Sequence, residues 1–203
     1  MRILMVDNHD SFTYNIVNMV RARGVEVDVV DNDADTSAID TEKYDGLIIS
    51  PGPGSPLNER DSGNSVELLQ NGSFSAVLGI CFGHQLIGHY MGCEIYRTKN
   101  LYHGETDKIL NYGGGILENI PESFEAVRYH SLAISPSSNI IIDGLSGSDG
   151  TIMAFHSKDG KYFGLQFHPE SHYSKFGDRL IDNFLEVVHE RSGTDIREEP
   201  DQE

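Results

Sequence analysis

Short apolar runs, broken by glycine, proline or acidic residues, set the rhythm of the first half of the chain. RILMVD (Arg2 to Asp7) predicts a buried strand, and polar NHD follows it. Ser11 or Asp10 can cap a helix that carries Phe12, Ile16, Met19 and Val20 at helical spacing and ends at Gly24. VEVDVV (Val25 to Val30) and DGLIIS (Asp45 to Ser50) predict two more strands. PGPGSP then excludes both helix and ladder strand. A helix is expected from about Asp61 to Gln70, a strand over AVLGI (Ala76 to Ile80), and a helix over HQLIGHYM, closed by Gly92.

Strand and helix alternating with short links imply an α/β protein. Its expected core is an open, mostly parallel twisted sheet with helices on both faces. After Gly92 the pattern changes. CEIYR, TDKIL, EAVRYH, TIMAFH and KYFGLQF are strand-like with turn residues between them, which predicts a small antiparallel extension. A last helix carries Phe176, Leu180, Ile181, Phe184, Leu185 and Val188. Residues 1–191 are expected to form one domain and 192–203, SGTDIREEPDQE, a disordered acidic tail.

Composition narrows the partners. The 203 residues hold 15 Lys and Arg against 32 Asp and Glu, a formal net charge of −17. Without a basic patch, nucleic acid is not expected as a partner. The acidity fits either a plain solvated surface or a salt-rich cytoplasm, and the six lysines suit the second. No apolar run approaches a membrane span, and the opening is too short and too soon charged for a signal peptide, so a cytoplasmic location is expected. Two cysteines make no disulfide framework, and no His/Cys spacing matches a zinc site.

One of those cysteines is unusually framed. GICFG places Cys81 between Gly79 and Gly83 at the end of a buried strand. A strand turning sharply into a helix strains the turn residue and crowds the positions two away. This is the steric logic of a nucleophile elbow. Such a turn exposes the sulfur at a helix N-terminus, where the dipole favours thiolate, and aims the Phe82 amide at a developing oxyanion. Cys93 has no elbow and reads as a structural thiol.

A cysteine nucleophile needs a base and the base an orienter. In FHPE, His168 and Glu170 point the same way in an extended chain, and Pro169 rejects helix. His84 and His89 lie on the helix after the elbow. His9, His103 and His130 lie near the predicted sheet edge, where a supporting role is open. PGPGSP matches neither phosphate-binding fingerprint, which argues against a cofactor loop. Its bare backbone at Gly52 and Gly54 suits close approach to a ligand, with Gly54 a second oxyanion donor. These loops all follow strands, at the carboxyl edge where open α/β sheets bind ligands.

SPGPGSP, GICFGHQ and GLQFHPES together resemble the class I, triad-type glutamine amidotransferases, whose core is flavodoxin-like. VDNHDSFTYNIV and RYHSL are similar to a narrower branch, the amidotransferase subunits of anthranilate synthase and aminodeoxychorismate synthase. The resemblance covers about residues 1–190. It implies Cys81 as nucleophile, His168 as base and Glu170 as orienter, with an oxyanion hole from the Gly54 and Phe82 amides. It implies that L-glutamine is held by Gly52, Pro53, Gly54, Gln85, Ser131 and Leu132. It implies no cofactor and no metal in this chain, although a partner synthase may require Mg2+. The implied partner is a chorismate-utilising synthase subunit, docking on the first-helix loop and the 97–106 region. Phe82 stands where leucine is usual, and Glu105 where the branch commonly has lysine. Other possibilities keep the chemistry with another partner, as in a two-chain GMP synthetase, or with none, as in a γ-glutamyl hydrolase. A non-catalytic binding module is the remaining alternative.

Overall fold

Ile3, Leu4, Met5 and Val6 are all fully buried, as expected of a strand covered on both faces. In the structure, a computed structural model describing residues 1–194, they belong to β1 (Arg2–Asp7). The chain continues through α1 (Thr13–Arg21), β2 (Glu26–Asp31), β3 (Gly46–Ile49), α2 (Glu59–Ser62), α3 (Ser65–Asn71), β4 (Ala76–Ile80) and α4 (Phe82–Tyr90). It then runs through β5 (Ile95–Arg97), β6 (Glu105–Asn111), β7 (Ser123–Arg128), β8 (Leu132–Ile134), β9 (Ile140–Ser146), β10 (Ile152–Ser157) and β11 (Tyr162–Leu165) to α5 (Gly177–Ser192). Among the described residues one nine-stranded sheet has the order β2-β1-β3-β4-β11-β10-β9-β6-β7, and β5 pairs with β8 in a second, two-stranded sheet.

Strands β2, β1, β3, β4 and β11 are parallel, and β10, β9, β6 and β7 extend them in antiparallel fashion. Strand periodicity divides the core in two. Ile3, Met5, Ile48 and Leu78 pack with Ile16 and Val20 of α1 and with Leu180, Phe184 and Val188 of α5. Leu4, Val6, Leu47 and Ile49 pack on the other face with Leu68 of α3 and Leu86 of α4. The α/β reading, with helices on both faces and an antiparallel extension, is what the structure has. No helix among the described residues is long and apolar enough to cross a membrane.

Several local expectations change. KYFGLQF belongs to the parallel part: β11 pairs in parallel with β4 and in antiparallel with β10. The helix expected over 61–70 is two helices, broken at Gly63 (φ +48), where a Cβ would meet the Asn32 carbonyl oxygen at 2.1 Å. α4 starts at Phe82, so Gly83 lies inside its first turn. Neither expected residue caps α1 itself. Asp10 instead accepts the Phe12 amide one step earlier, at 2.8 Å. β9 has no counterpart in the sequence pattern, because Asp143 and Gly144 interrupt its apolar run; the ladder is irregular there. Phe176 precedes α5 in a left-handed conformation. Of the predicted tail, Ser192 ends α5 and the Thr194 hydroxyl donates to Asp45 at 2.8 Å; the remainder lies outside the described residues.

His84, in the first turn of α4, has its ring against Phe155, at 4.9 Å between centroids. It is fully buried, and neither ring nitrogen has a hydrogen-bond partner. Burial lowers its pKa from the ordinary 6.5 to about 3. Between those values the unfolded chain carries a proton that the folded one refuses. Stability should therefore fall with pH below 6.5, by about 1.4 kcal/mol per pH unit from this residue. Urea midpoints measured from pH 7 to pH 4 should decline less steeply in His84→Leu than in the native chain; equal slopes would refute the assignment.

Candidate active site

The site begins with the backbone of Cys81. It follows β4, precedes α4 and has φ 53, ψ −100, outside the conformations L-residues favour. Backbone hydrogen bonds hold it there. The Cys81 amide donates to the Leu165 carbonyl at 2.7 Å, and its carbonyl accepts from the Gln85 amide at 3.1 Å. The glycines are sterically required. A Cβ on Gly79 would lie 2.2 Å from the Gly83 carbonyl oxygen, and one on Gly83 would lie 2.3 Å from that of Ile49. Phe82, first residue of α4, has one of the leading amides that a helix leaves unpaired.

β11 lies beside β4, so the chain leaving it enters the same edge. There His168 Nδ1 meets Glu170 Oε1 at 2.6 Å, with both side chains almost fully buried. The imidazole stands edge-on to Tyr129 and Phe12, at centroid distances of 5.1 and 5.9 Å. Ser174 Oγ donates to the His168 carbonyl at 2.6 Å. Burial alone would lower the His168 pKa. The charge of the nearby Cys81 and the charge and hydrogen bond of Glu170 outweigh it and hold that pKa well above 6.5. Nε2 is buried and makes no hydrogen bond within normal distance. The Cys81 thiol donates instead to the Tyr129 carbonyl, at 3.7 Å; catalytic hydrogen bonds are often unformed in unliganded active sites. A thiol coupled to an imidazole that is itself fixed by a carboxylate can act as an activated nucleophile.

Gly52, Pro53, Gly54, Cys81, Gln85, Ser131 and Leu132 line one cavity of about 200 Å³, together with Leu101, Tyr102, His103, Tyr129 and His130. The expected ligand-contacting residues are therefore brought together. His168 and Glu170 lie behind Cys81, outside that lining. The Gly52 and Gly54 loop is shaped by close packing. A Gly52 Cβ would fall 2.5 Å from Asn8 Cβ, and a Gly54 Cβ 2.2 Å from Asp61 Oδ2; Gly54 has φ +88. Asn8 is tied to Ser50, and Asp61 accepts the Ser55 amide at 2.9 Å. Gln85 donates through Nε2 to the Leu132 carbonyl at 3.0 Å and to Gln166 Oε1 at 3.1 Å, which leaves its oxygen for a ligand.

Of the other histidines, His9 is exposed in a left-handed turn and His103 stands edge-on to Tyr129. His130 is buried. Cys93 is buried in the apolar core, and burial raises its pKa to about 11, as befits a structural thiol. Sequence reasoning missed Phe12, Tyr129, Gln166, Asn8, Asp61 and Ser174. Phe12 reads from its spacing as a helix-packing residue; the others carry no spacing signal.

Comparison with known proteins places the chain in a family. The class I glutamine amidotransferase family matches residues 4–188. An anthranilate synthase component 2 of Saccharolobus solfataricus is 37% identical over 191 residues, covering 91% of this chain and 98% of that one. An aminodeoxychorismate synthase of Streptomyces griseus is 37% identical over 197 residues, covering 95% of this chain and 27% of that one. A solved structure from Thermoplasma acidophilum, provisionally named as one subunit of a GMP synthase, has a TM-score of 0.86 at 24% identity and covers 95% of this chain and 96% of that one. At that identity it shows the fold alone. The chain belongs to the class I glutamine amidotransferases.

If the elbow depends on the two close approaches, Gly79→Ala and Gly83→Ala should each destabilise the fold by about 1–3 kcal/mol. Both should also slow alkylation of Cys81 by iodoacetamide. Wild-type urea midpoints and alkylation rates in both variants would rule out the steric account.

Proposed function

We propose that the chain hydrolyses L-glutamine to glutamate and ammonia through Cys81, His168 and Glu170. The observation that carries this reading is the left-handed Cys81 turn beside a small cavity, backed by the 2.6 Å contact between His168 and Glu170. Cys81 thiolate attacks the side-chain carboxamide carbon of glutamine. The Gly54 and Phe82 amides stabilise the oxyanion. His168 gives its proton to the departing ammonia, leaving a γ-glutamyl thioester. Water, deprotonated by His168, attacks the thioester and releases glutamate and the thiolate. Glu170 keeps the imidazole oriented through Nδ1. Gly52, Pro53, Gln85, Ser131 and Leu132 hold the amino-acid end. Thiolate, imidazole and water suffice, so no cofactor is assigned to this chain.

Ammonia free in neutral water is mostly protonated and lost as a nucleophile. We assign the receiving partner as a chorismate-aminating synthase subunit, by similarity to relatives named anthranilate synthase component 2. The corresponding role in aminodeoxychorismate synthesis is the second reading, favoured by the Streptomyces griseus relative. The exposed Leu101 and the 97–106 segment beside the cavity suit the docking surface.

Co-purification with the native synthase subunit, followed by assay with chorismate and glutamine, tests the assignment; anthranilate is the expected product. Recovery of aminodeoxychorismate selects the second reading, and absence of both overturns the chorismate assignment. In the complex, Cys81→Ala should abolish glutamine-dependent synthesis and spare synthesis fed with ammonium salt. Glu170→Gln should lower glutamine-dependent kcat by about 10²-fold or more. Loss of the ammonium-fed reaction in Cys81→Ala would contradict the nucleophile role.

A further inference from the structure

Arg128 has no exposed surface, yet it carries a permanent charge. Its charge is met on three sides. Nη1 donates to Asp107 Oδ2 at 2.6 Å and to Ser146 Oγ at 3.0 Å, and Nη2 donates to Asp149 Oδ2 at 3.0 Å. The guanidinium carbon lies 3.5 Å from the centroid of the Tyr102 ring, and the Tyr102 hydroxyl donates to the same Asp149 oxygen at 2.6 Å. A further donor, Nε, points to His130 Nε2 at 3.0 Å.

That contact determines where the imidazole proton sits. A guanidinium can only donate, so His130 Nε2 must present its lone pair. The ring proton is therefore on Nδ1, which donates to the Leu132 carbonyl at 2.9 Å. The same carbonyl accepts Gln85 Nε2 at 3.0 Å, so both its lone pairs are engaged. The neighbouring Ser131 carbonyl is similarly held, by Thr98 N at 2.9 Å and Thr98 Oγ1 at 3.2 Å. Tyr102 stacks on the His130 ring at 5.4 Å and lines the cavity. The Leu132 carbonyl at the cavity wall is thus held from behind by His130 and, through it, by the charged network around Arg128.

We propose that Arg128 and His130 are positioning residues for glutamine: Arg128 imposes the Nδ1–H tautomer, and that tautomer fixes the Leu132 carbonyl and with it the Ser131–Leu132 segment against which the substrate binds. This rests on the glutaminase reading above for the identity of the ligand. His130 does not touch the reacting atoms and transfers no proton. Its effect falls on substrate affinity, not on the chemistry at Cys81.

Two variants separate positioning from simple packing. His130→Asn can keep a donor toward Leu132 while losing the acceptor for Arg128; His130→Phe keeps a ring against Tyr102 and loses both. Glutamine hydrolysis is measured in the complex with the synthase subunit, and Cys81 alkylation by iodoacetamide serves as a substrate-independent control. In His130→Phe the KM for glutamine should rise roughly tenfold, the equivalent of one buried hydrogen bond, with kcat and alkylation changed by less than about threefold. His130→Asn should restore most of the affinity. Equal KM values in both variants, or a fall in Tm with unchanged KM, would overturn the proposal. Nitrogen NMR of the histidine-labelled wild-type chain needs no variant. A neutral ring protonated at Nδ1 is required at neutral pH, and an Nε2–H ring or an imidazolium at position 130 rejects it. If the wild-type complex hydrolyses no glutamine, the glutaminase reading fails by itself; the tautomer measurement still decides the Arg128–His130 arrangement.

Discussion

The site depends on one backbone constraint, the left-handed turn at Cys81. An isolated residue in that conformation is unfavourable by the order of 1–3 kcal/mol, so the surroundings must impose it. They do so from both ends. β4 is locked between β3 and β11, and α4 is packed so closely that Gly83 nearly touches the Ile49 carbonyl. The Cys81 amide completes the β11 ladder and its carbonyl begins the α4 ladder. Strain at Cys81 is thus maintained by ordinary sheet and helix hydrogen bonding, without any group devoted to it.

The same edge collects the other elements for a shared reason. Parallel strands deliver their following loops to one side of the sheet, and β1, β3, β4 and β11 all end there. The loop after β3 brings Gly52 and Gly54, the turn after β4 brings Cys81, and the chain after β11 brings His168 and Glu170. The antiparallel half contributes Tyr129 to Ser131, on the connection between β7 and β8, and Leu132 at the start of β8. A parallel core therefore carries the thiol, the imidazole and the carboxylate, and the antiparallel part supplies a wall of the cavity.

How much of this is legible in the sequence differs by feature. The parallel strands announce themselves because burial on both faces leaves unbroken apolar runs such as AVLGI. The elbow is legible because its glycines answer a local steric demand. β9 is not, because Asp143 is satisfied by His156, a long-range contact at 2.8–2.9 Å that no local pattern encodes. The place of β11 beside β4 is likewise a matter of sheet order, and KYFGLQF reads equally well in either direction. Arg128 looks like a surface cation in RYHSL until the fold surrounds it with Asp107 and Asp149. Tyr129 and Phe12 form the walls around His168 only after distant segments meet, so their aromatic character alone carries no positional information.

The adjacency of β4 and β11 has a kinetic corollary. The two strands are neighbours in space, yet all the residues of β5 through β10 lie between them in the chain. Joining them closes a long loop, and such contacts form late because the entropy of closure precedes their reward. Cys81 and His168 hang from these two strands. A nascent or partly folded chain can build β1, β3 and β4 and still keep its thiol away from the imidazole. The pairing that joins β4 to β11 is also the one that brings the thiol and the imidazole to one place, so the candidate site is assembled only when the fold is finished.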